Sequence, residues 1–231
     1  MARLYLFAEG QTEQTFAGTV LKPHLANLGV YIYPILIAHS RRKHITHRGG
    51  VRKYTPVRND ILRFMKQERD ADVFFSTMVD LYGLPSDFPG VEQAERLRHD
   101  PHQRVRSLEQ EWLVDIGDQR FVPFIQLHEY EALLFAEISR LEFFYENSRA
   151  RIAKLEKIAN SVDTPELIND GPQTAPSKRI IAEFPEYEGA KRTVGPQVAE
   201  LIGLSKIRAR CPHFNGWLGK LEGLGTGEER P

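Results

Sequence analysis

Leu4-Tyr5-Leu6-Phe7-Ala8-Glu9-Gly10-Gln11-Thr12-Glu13 is the stretch on which the fold turns. Its apolar run, Leu4 to Ala8, reads as a strand buried on both faces rather than alternating. Gly10 lets the chain turn sharply after Glu9. Thr12 is expected to cap a following helix, with Glu13 in its first turn, where the helix dipole favours negative charge. A strand running into a helix through an acidic turn is the repeating unit of a parallel α/β sheet.

Three further runs extend the pattern: Val30 to Ala38, Val73 to Val79 and Phe121 to Leu127. Between the first and second runs, Phe16, Val20, Leu25 and Leu28 fall near helical spacing, with Gly29 placed to end the helix and Pro23 expected to bend or shorten it. Val57, Ile61, Phe64 and Met65 mark a second amphipathic helix, and Val91 to Ile116 holds one or two more. The expected fold is a mostly parallel sheet over residues 1–136 with helices on both faces. After residue 136 the character changes. Ile138 to Ser161 is helical in spacing, Asp163 to Ser177 reads as a loop, and the last fifty residues as short helices, so 137–231 is expected to be a helical C-terminal extension packed on the core.

Lys plus Arg and Asp plus Glu both total 31, so any nucleic-acid footprint has to be a local patch. The single cysteine, Cys211, excludes an intrachain disulfide and a zinc site built on several thiolates. The first ten residues do not resemble a signal peptide, and no apolar stretch approaches a membrane span, so the expected compartment is the cytoplasm.

In an open parallel sheet, ligands bind outside the carboxyl ends of the strands. Three of the four strand ends deliver acids: Glu9, Asp80 (in Asp80-Leu81-Tyr82-Gly83-Leu84-Pro85) and Glu129 (in His128-Glu129-Tyr130-Glu131). Glu9, Asp80 and Glu129 are therefore expected to share one crevice. Close like charges raise one another's pKa, and hard divalent cations such as Mg²⁺ relieve them through oxygen ligation. Each acid also has a plainer reading: Glu9 as a solvated strand-end acid, Asp80 as a turn residue, Glu13 as a helix-start acid, and Glu129 or Glu131 as the opening of the next helix. No Gly-x-Gly-x-x-Gly or Walker pattern competes for the crevice.

The motifs Glu-Gly-Gln-Thr-Glu at 9–13, Val-Asp-Leu-Tyr-Gly-Leu-Pro at 79–85 and Gln-Leu-His-Glu-Tyr-Glu-Ala-Leu-Leu-Phe at 126–135 resemble a Toprim-like subfamily of bacterial proteins long labelled only as a domain of unknown function. Ala-Pro-Ser-Lys-Arg-Ile at 175–180 and Cys-Pro-His-Phe-Asn-Gly-Trp-Leu at 211–218 are similar to it as well. The resemblance implies a Toprim-like, Rossmann-like core, Mg²⁺ or Mn²⁺ held by Glu9, Asp80, Glu129 and Glu131, and action on DNA or RNA phosphodiesters. It also implies kinship with nucleases linked to defence ATPases, hence an ATPase partner and phage defence, and it leaves a homodimer open. Glu13 would position the attacking water. Many Toprim proteins carry a second acid two residues after the strand-three Asp, and here Tyr82 stands in that place.

His39 to Tyr54 carries Arg41, Arg42, Lys43, Arg48, Arg52 and Lys53 and no acid, a composition that attracts a phosphate backbone. The plainer reading is a solvated loop or a contact with a partner protein. Lys178 and Arg179 follow a Pro-Ser helix start; they are read either as cations stabilising charge at a scissile phosphate or as partners of Glu183 and Glu186. Arg208, Arg210, His213 and Trp217 are read as structural. Two functions compete: a divalent-metal-dependent nuclease, and a non-catalytic subunit binding nucleic acid or an ATPase. A phosphatase or receiver-like domain fits less well, because strand one ends in Glu rather than Asp.

Overall fold

The computed structural model describes residues 1–37, 53–168, 171 and 173–226. Five parallel strands form the sheet: β1 (Ala2–Ala8), β2 (Val30–Leu36), β3 (Val73–Asp80), β4 (Phe121–Val122) and β5 (Ile125–Gln126), in the order β2-β1-β3-β4, with β5 also paired to β3. The expected mostly parallel α/β sheet with a helical C-terminal region is what forms. Central β3 is buried on both faces, as its unbroken apolar run requires. At the edge, β2 departs from that expectation: Tyr31, Tyr33 and Leu36 are exposed, because among the described residues no strand flanks it on its outer side.

The fourth run is two short strands rather than one. Pro123 has no N–H for the ladder, so pairing lapses there. Thr77 fills the gap from β3: its hydroxyl donates to Phe124 O (3.0 Å) and accepts from Phe124 N (2.9 Å), all of it buried. Pro23 has a comparable effect in the first helical stretch. α1 (Gln11–Phe16) passes through a π turn, Ala17–Leu21, before α2 (Lys22–Ala26), so the register loosens beside the residue that cannot donate.

Each face of the sheet has its own core. On one, Phe7, Val73, Phe75 and Val79 pack with α3 (Tyr54–Gln67), α4 (Val91–Glu95) and α5 (Pro101–Ile116). On the other, Leu4, Leu6, Ile32, Phe74 and Met78 meet α1, α2 and the helices that follow residue 136. These are α6 (Arg149–Ala159), α7 (Pro176–Glu183), α8 (Tyr187–Ile202), α9 (Leu204–Arg210) and α10 (Pro212–Gly223). From α10, Trp217 Nε1 donates to Ser76 Oγ inside the sheet (2.9 Å), and its ring stacks on Phe124 at 4.3 Å. Among the described residues no helix is long and apolar enough to cross a membrane.

Candidate functional site

A parallel sheet directs every strand's carboxyl end to the same side, and the acids gather there. Asp80 closes β3, and its backbone N–H donates to Glu9 Oε2 at 2.8 Å, so the residue just after β1 and the last residue of β3 are joined directly. Gly83 makes room for this pairing. A Cβ at that position would fall 2.6 Å from Glu9 Oε2 and closer still to Oε1. Gly83→Ala is therefore expected to displace the Glu9 carboxylate, cost roughly 1–3 kcal/mol for the lost charged hydrogen bond and speed hydrogen exchange at the Asp80 amide. Urea unfolding and exchange measured by mass spectrometry check both.

The cap of α1 is Gly10, not Thr12. Glu13, three residues on, accepts from the Gly10 backbone N–H and buries its side chain in doing so. On the other side of the cleft β5 ends at Gln126. The chain crosses His128 in a left-handed conformation (φ 63°) before a 3₁₀ helix, Tyr130–Ala136. A non-glycine residue held there is strained, and such strain concentrates at functional sites. Glu129 is the cap of that helix and Glu131 lies in its first turn. The Ser177 backbone N–H, at the start of α7, donates to Glu129 Oε1.

Electrostatically the five acids form one unit. Burial first, and then the charges of Glu9, Glu13, Glu129 and Glu131, hold the Asp80 carboxyl well above the usual range. Burial also raises Glu9, against the pull of the Asp80 N–H. Glu13 is pushed up to about 7 by burial and by Glu9; Glu131 reaches about 7 through burial and Glu129. Lys191 opposes both shifts, its Nζ 3.5 Å from Glu131 Oε1. Asp80 Oδ1 is buried with no hydrogen-bond partner among the described residues.

Of the predicted site residues, then, Glu9, Glu13, Asp80, Glu129 and Glu131 converge. Lys178 lies half-buried in the first turn of α7, next to the residue that holds Glu129. Arg179 Nε donates to Thr174 O at 2.7 Å. The anticipated partners of these two cations are taken elsewhere: Glu183 pairs with Lys154 (2.8 Å) and Glu186 with Arg151 (3.3 Å) on α6. Arg41, Arg42, Lys43, Arg48 and Arg52 lie outside the described residues; Lys53 is exposed just before α3. Tyr82 is exposed at the lip of the cleft, its N–H donating to His128 O (3.2 Å) and its ring 5.7 Å from the His128 ring. His213 stacks on Phe124 and sits 3.1 Å from Glu109 Oε1.

Sequence reading missed Lys191 and Tyr187, whose hydroxyl is 3.4 Å from Glu131 Oε1. With Gly195 they recur at every fourth position along α8, and that spacing was the one available signal. An open hollow of about 770 Å³ against Ser139, Tyr145, Arg149 and Glu156 is lined by none of the five acids.

Among the described residues no three His, Cys, Asp or Glu side chains already form a metal cage. Mg²⁺ does not require one, since it binds through one or two carboxylates and completes its shell with water and substrate oxygens. The all-oxygen donor set and the unpartnered Asp80 Oδ1 fit that chemistry.

A family model described as Domain of unknown function (DUF4276) matches residues 8–222. No curated protein and no solved structure matches the chain.

Proposed function

We propose, from the premise that the chain belongs to the DUF4276 family, that it is a divalent-metal-dependent nuclease acting on DNA or RNA phosphodiesters. The observation that carries this reading is the convergence of four carboxylates on Asp80, whose buried Oδ1 lacks a hydrogen-bond partner among the described residues. Such a cluster is costly without a cation to relieve it. Glu9 and Asp80 would hold Mg²⁺ or Mn²⁺, with Glu129 or Glu131 assisting. When bound, such an ion polarises a phosphoryl oxygen and acidifies water.

The remaining steps belong to the chain itself. Glu13, with its proton affinity near neutrality, orients the attacking water and takes its proton at the carboxylate. Lys178 brings positive charge to the rim on the Glu129 side, where charge develops on the phosphate. Arg41, Arg42, Lys43, Arg48, Arg52, Lys53 and Arg179 supply the backbone-tracking cations. The Toprim resemblance supports the same chemistry and extends the proposal to an ATPase partner, with phage defence as the setting.

One observation favours a second reading, a non-catalytic subunit that binds nucleic acid or the ATPase. Tyr82 adds no carboxylate to the cleft at the position where a further acid would complete it. Cleavage separates the two. The full chain, alone and with a candidate ATPase, is expected to nick single- or double-stranded DNA or RNA in Mn²⁺, and Glu9→Gln/Asp80→Asn to be inactive while folded. Nucleic-acid binding without cleavage in any condition supports the second reading; cleavage surviving the double variant places the chemistry outside this cleft.

A further inference from the structure

Positive charge is distributed unevenly along the cleft. At the β1–β3 end, Asp80 Oδ1 is buried and unpartnered among the described residues. At the other end the Lys191 ammonium stands 3.5 Å from Glu131 Oε1, close enough to act on Glu13 as well.

Lys191 is not a surface lysine that happens to reach inward. Tyr187, Lys191 and Gly195 lie on one face of α8, and that face is seated on the 3₁₀ helix after β5. At Gly195 a Cβ would come within 3.1 Å of Tyr187 Oη and 3.3 Å of Tyr130 Cε1, tighter than ordinary packing, so a larger residue would press on both rings where α8 meets the 3₁₀ helix. Arg192 Nη1 donates to Gln11 Oε1 at 2.9 Å, tying the same turn of α8 to the first turn of α1. The Lys191 side chain is 29% exposed, with its ammonium turned to the acids. A second observation marks that end as built around charge. The Tyr130 hydroxyl, wholly buried and without a hydrogen-bond partner among the described residues, lies near both Glu13 and Glu131.

We infer that Lys191 is a tethered counter-cation that takes the place of a second divalent ion at the Glu13–Glu131 end, so that the cleft binds one Mg²⁺ or Mn²⁺, at Glu9 and Asp80, rather than two. The inference rests on the metal-site reading above and deepens it by fixing the number of ions. Like charges at this separation exclude one another, and the ammonium is held by the fold at no cost in captured ion. Glu131 is thereby a partner of Lys191 first, and its part in ligation falls away.

Counting Mn²⁺ on the full chain, by titration calorimetry and by the electron paramagnetic resonance signal of the free ion, tests this without reference to turnover. Wild type and Lys191→Arg are expected to bind one ion per chain and Lys191→Met two, with Lys191→Gln standing in if the Met variant does not fold. Adding Glu131→Gln to the charge-removing variant should return the count to one. Two ions on the wild type, or one on both Lys191→Met and Lys191→Gln, overturn the inference while leaving a metal site in place. No ion on any of the proteins overturns it together with the metal reading. One ion on the wild type and two on Lys191→Met, without cleavage, uphold it and remove only the nuclease assignment.

Discussion

Asp80→Asn is expected to make the metal-free protein more stable above pH 7 while ending its response to Mn²⁺. In the native chain Asp80 carries a carboxyl whose ionised form is opposed by burial and by four neighbouring acids, with Oδ1 unpartnered among the described residues. An amide of the same shape removes the charge and offers N–H donors to the surrounding carboxylates. Relief of an unsatisfied buried group is worth roughly 1–3 kcal/mol, and in a chain of this length each kcal/mol raises Tm by roughly 2–4 °C. The Mn²⁺-induced rise in Tm, a consequence of ligand binding to the native state alone, should disappear. Cleavage should fall by roughly a thousandfold, since a metal's transition-state contribution amounts to several kcal/mol. Thermal melts with and without Mn²⁺, alongside the cleavage assay, test all three. A lower Tm in the metal-free variant would mean that the Asp80 charge is compensated in the native protein; a surviving Mn²⁺ shift would put the metal elsewhere.

Stability should also fall as pH rises through neutrality, the reverse of the usual behaviour of carboxylates in ion pairs. Glu13 and Glu131 have folded pKa values of about 7, against 4.5 for the free side chain. The folded state therefore binds more protons than the unfolded one between those limits. The stability contributed by the two acids is fully present below pH 4.5 and is lost as pH rises through 7. At about 1.4 kcal/mol per unit, the loss approaches about 3 kcal/mol for each group, released as one coupled titration. His128 acts in the opposite sense. Burial lowers it to about 4, so its contribution is present above 6.5 and is lost as pH falls through 4. Above pH 6.5 His128 is silent and the slope belongs to the acids. Urea unfolding from pH 5 to 8.5 should show the fall, steepest below pH 7 and only partly offset there by the single His128; saturating Mn²⁺ should flatten it, and Glu13→Gln/Glu131→Gln should abolish it and leave the opposite slope of His128. A metal-free protein whose stability is level over that range would mean that the two acids are already compensated.

The convergence of Glu9, Asp80 and Glu129 was legible before any coordinates, because a parallel sheet leaves no other place for the residues that follow its strands. Strand ends shifted by a residue or two without moving the site. The break in the fourth strand was written in Pro123, but the remedy was not: nothing local to Thr77 says that its hydroxyl will face Phe124. The edge position of β2 was equally hidden, since Tyr31 and Tyr33 suit a covered face as well as an open one. Lys191 was beyond reach for a different reason. It enters the cleft from α8, sixty residues after Glu131, and only the docking of that helix against Tyr130 brings the two together. Motif reading finds groups that share a turn; it does not find groups that share a cavity by packing. Thr12 was assigned the cap by residue type, whereas Gly10 takes it because the Glu13 side chain already satisfies the Gly10 N–H.

The seating of α8 on the 3₁₀ helix has a consequence for the life of the chain. A polypeptide emerging from the ribosome presents Glu9, Glu13, Asp80, Glu129 and Glu131 well before residue 187 exists, and domains take shape from the N-terminus as they are made. Until Tyr187, Lys191 and Gly195 arrive, Glu131 lacks its ammonium and one face of the sheet has only part of its cover. A nascent chain thus carries every carboxylate of the cleft before it carries the ammonium that faces them.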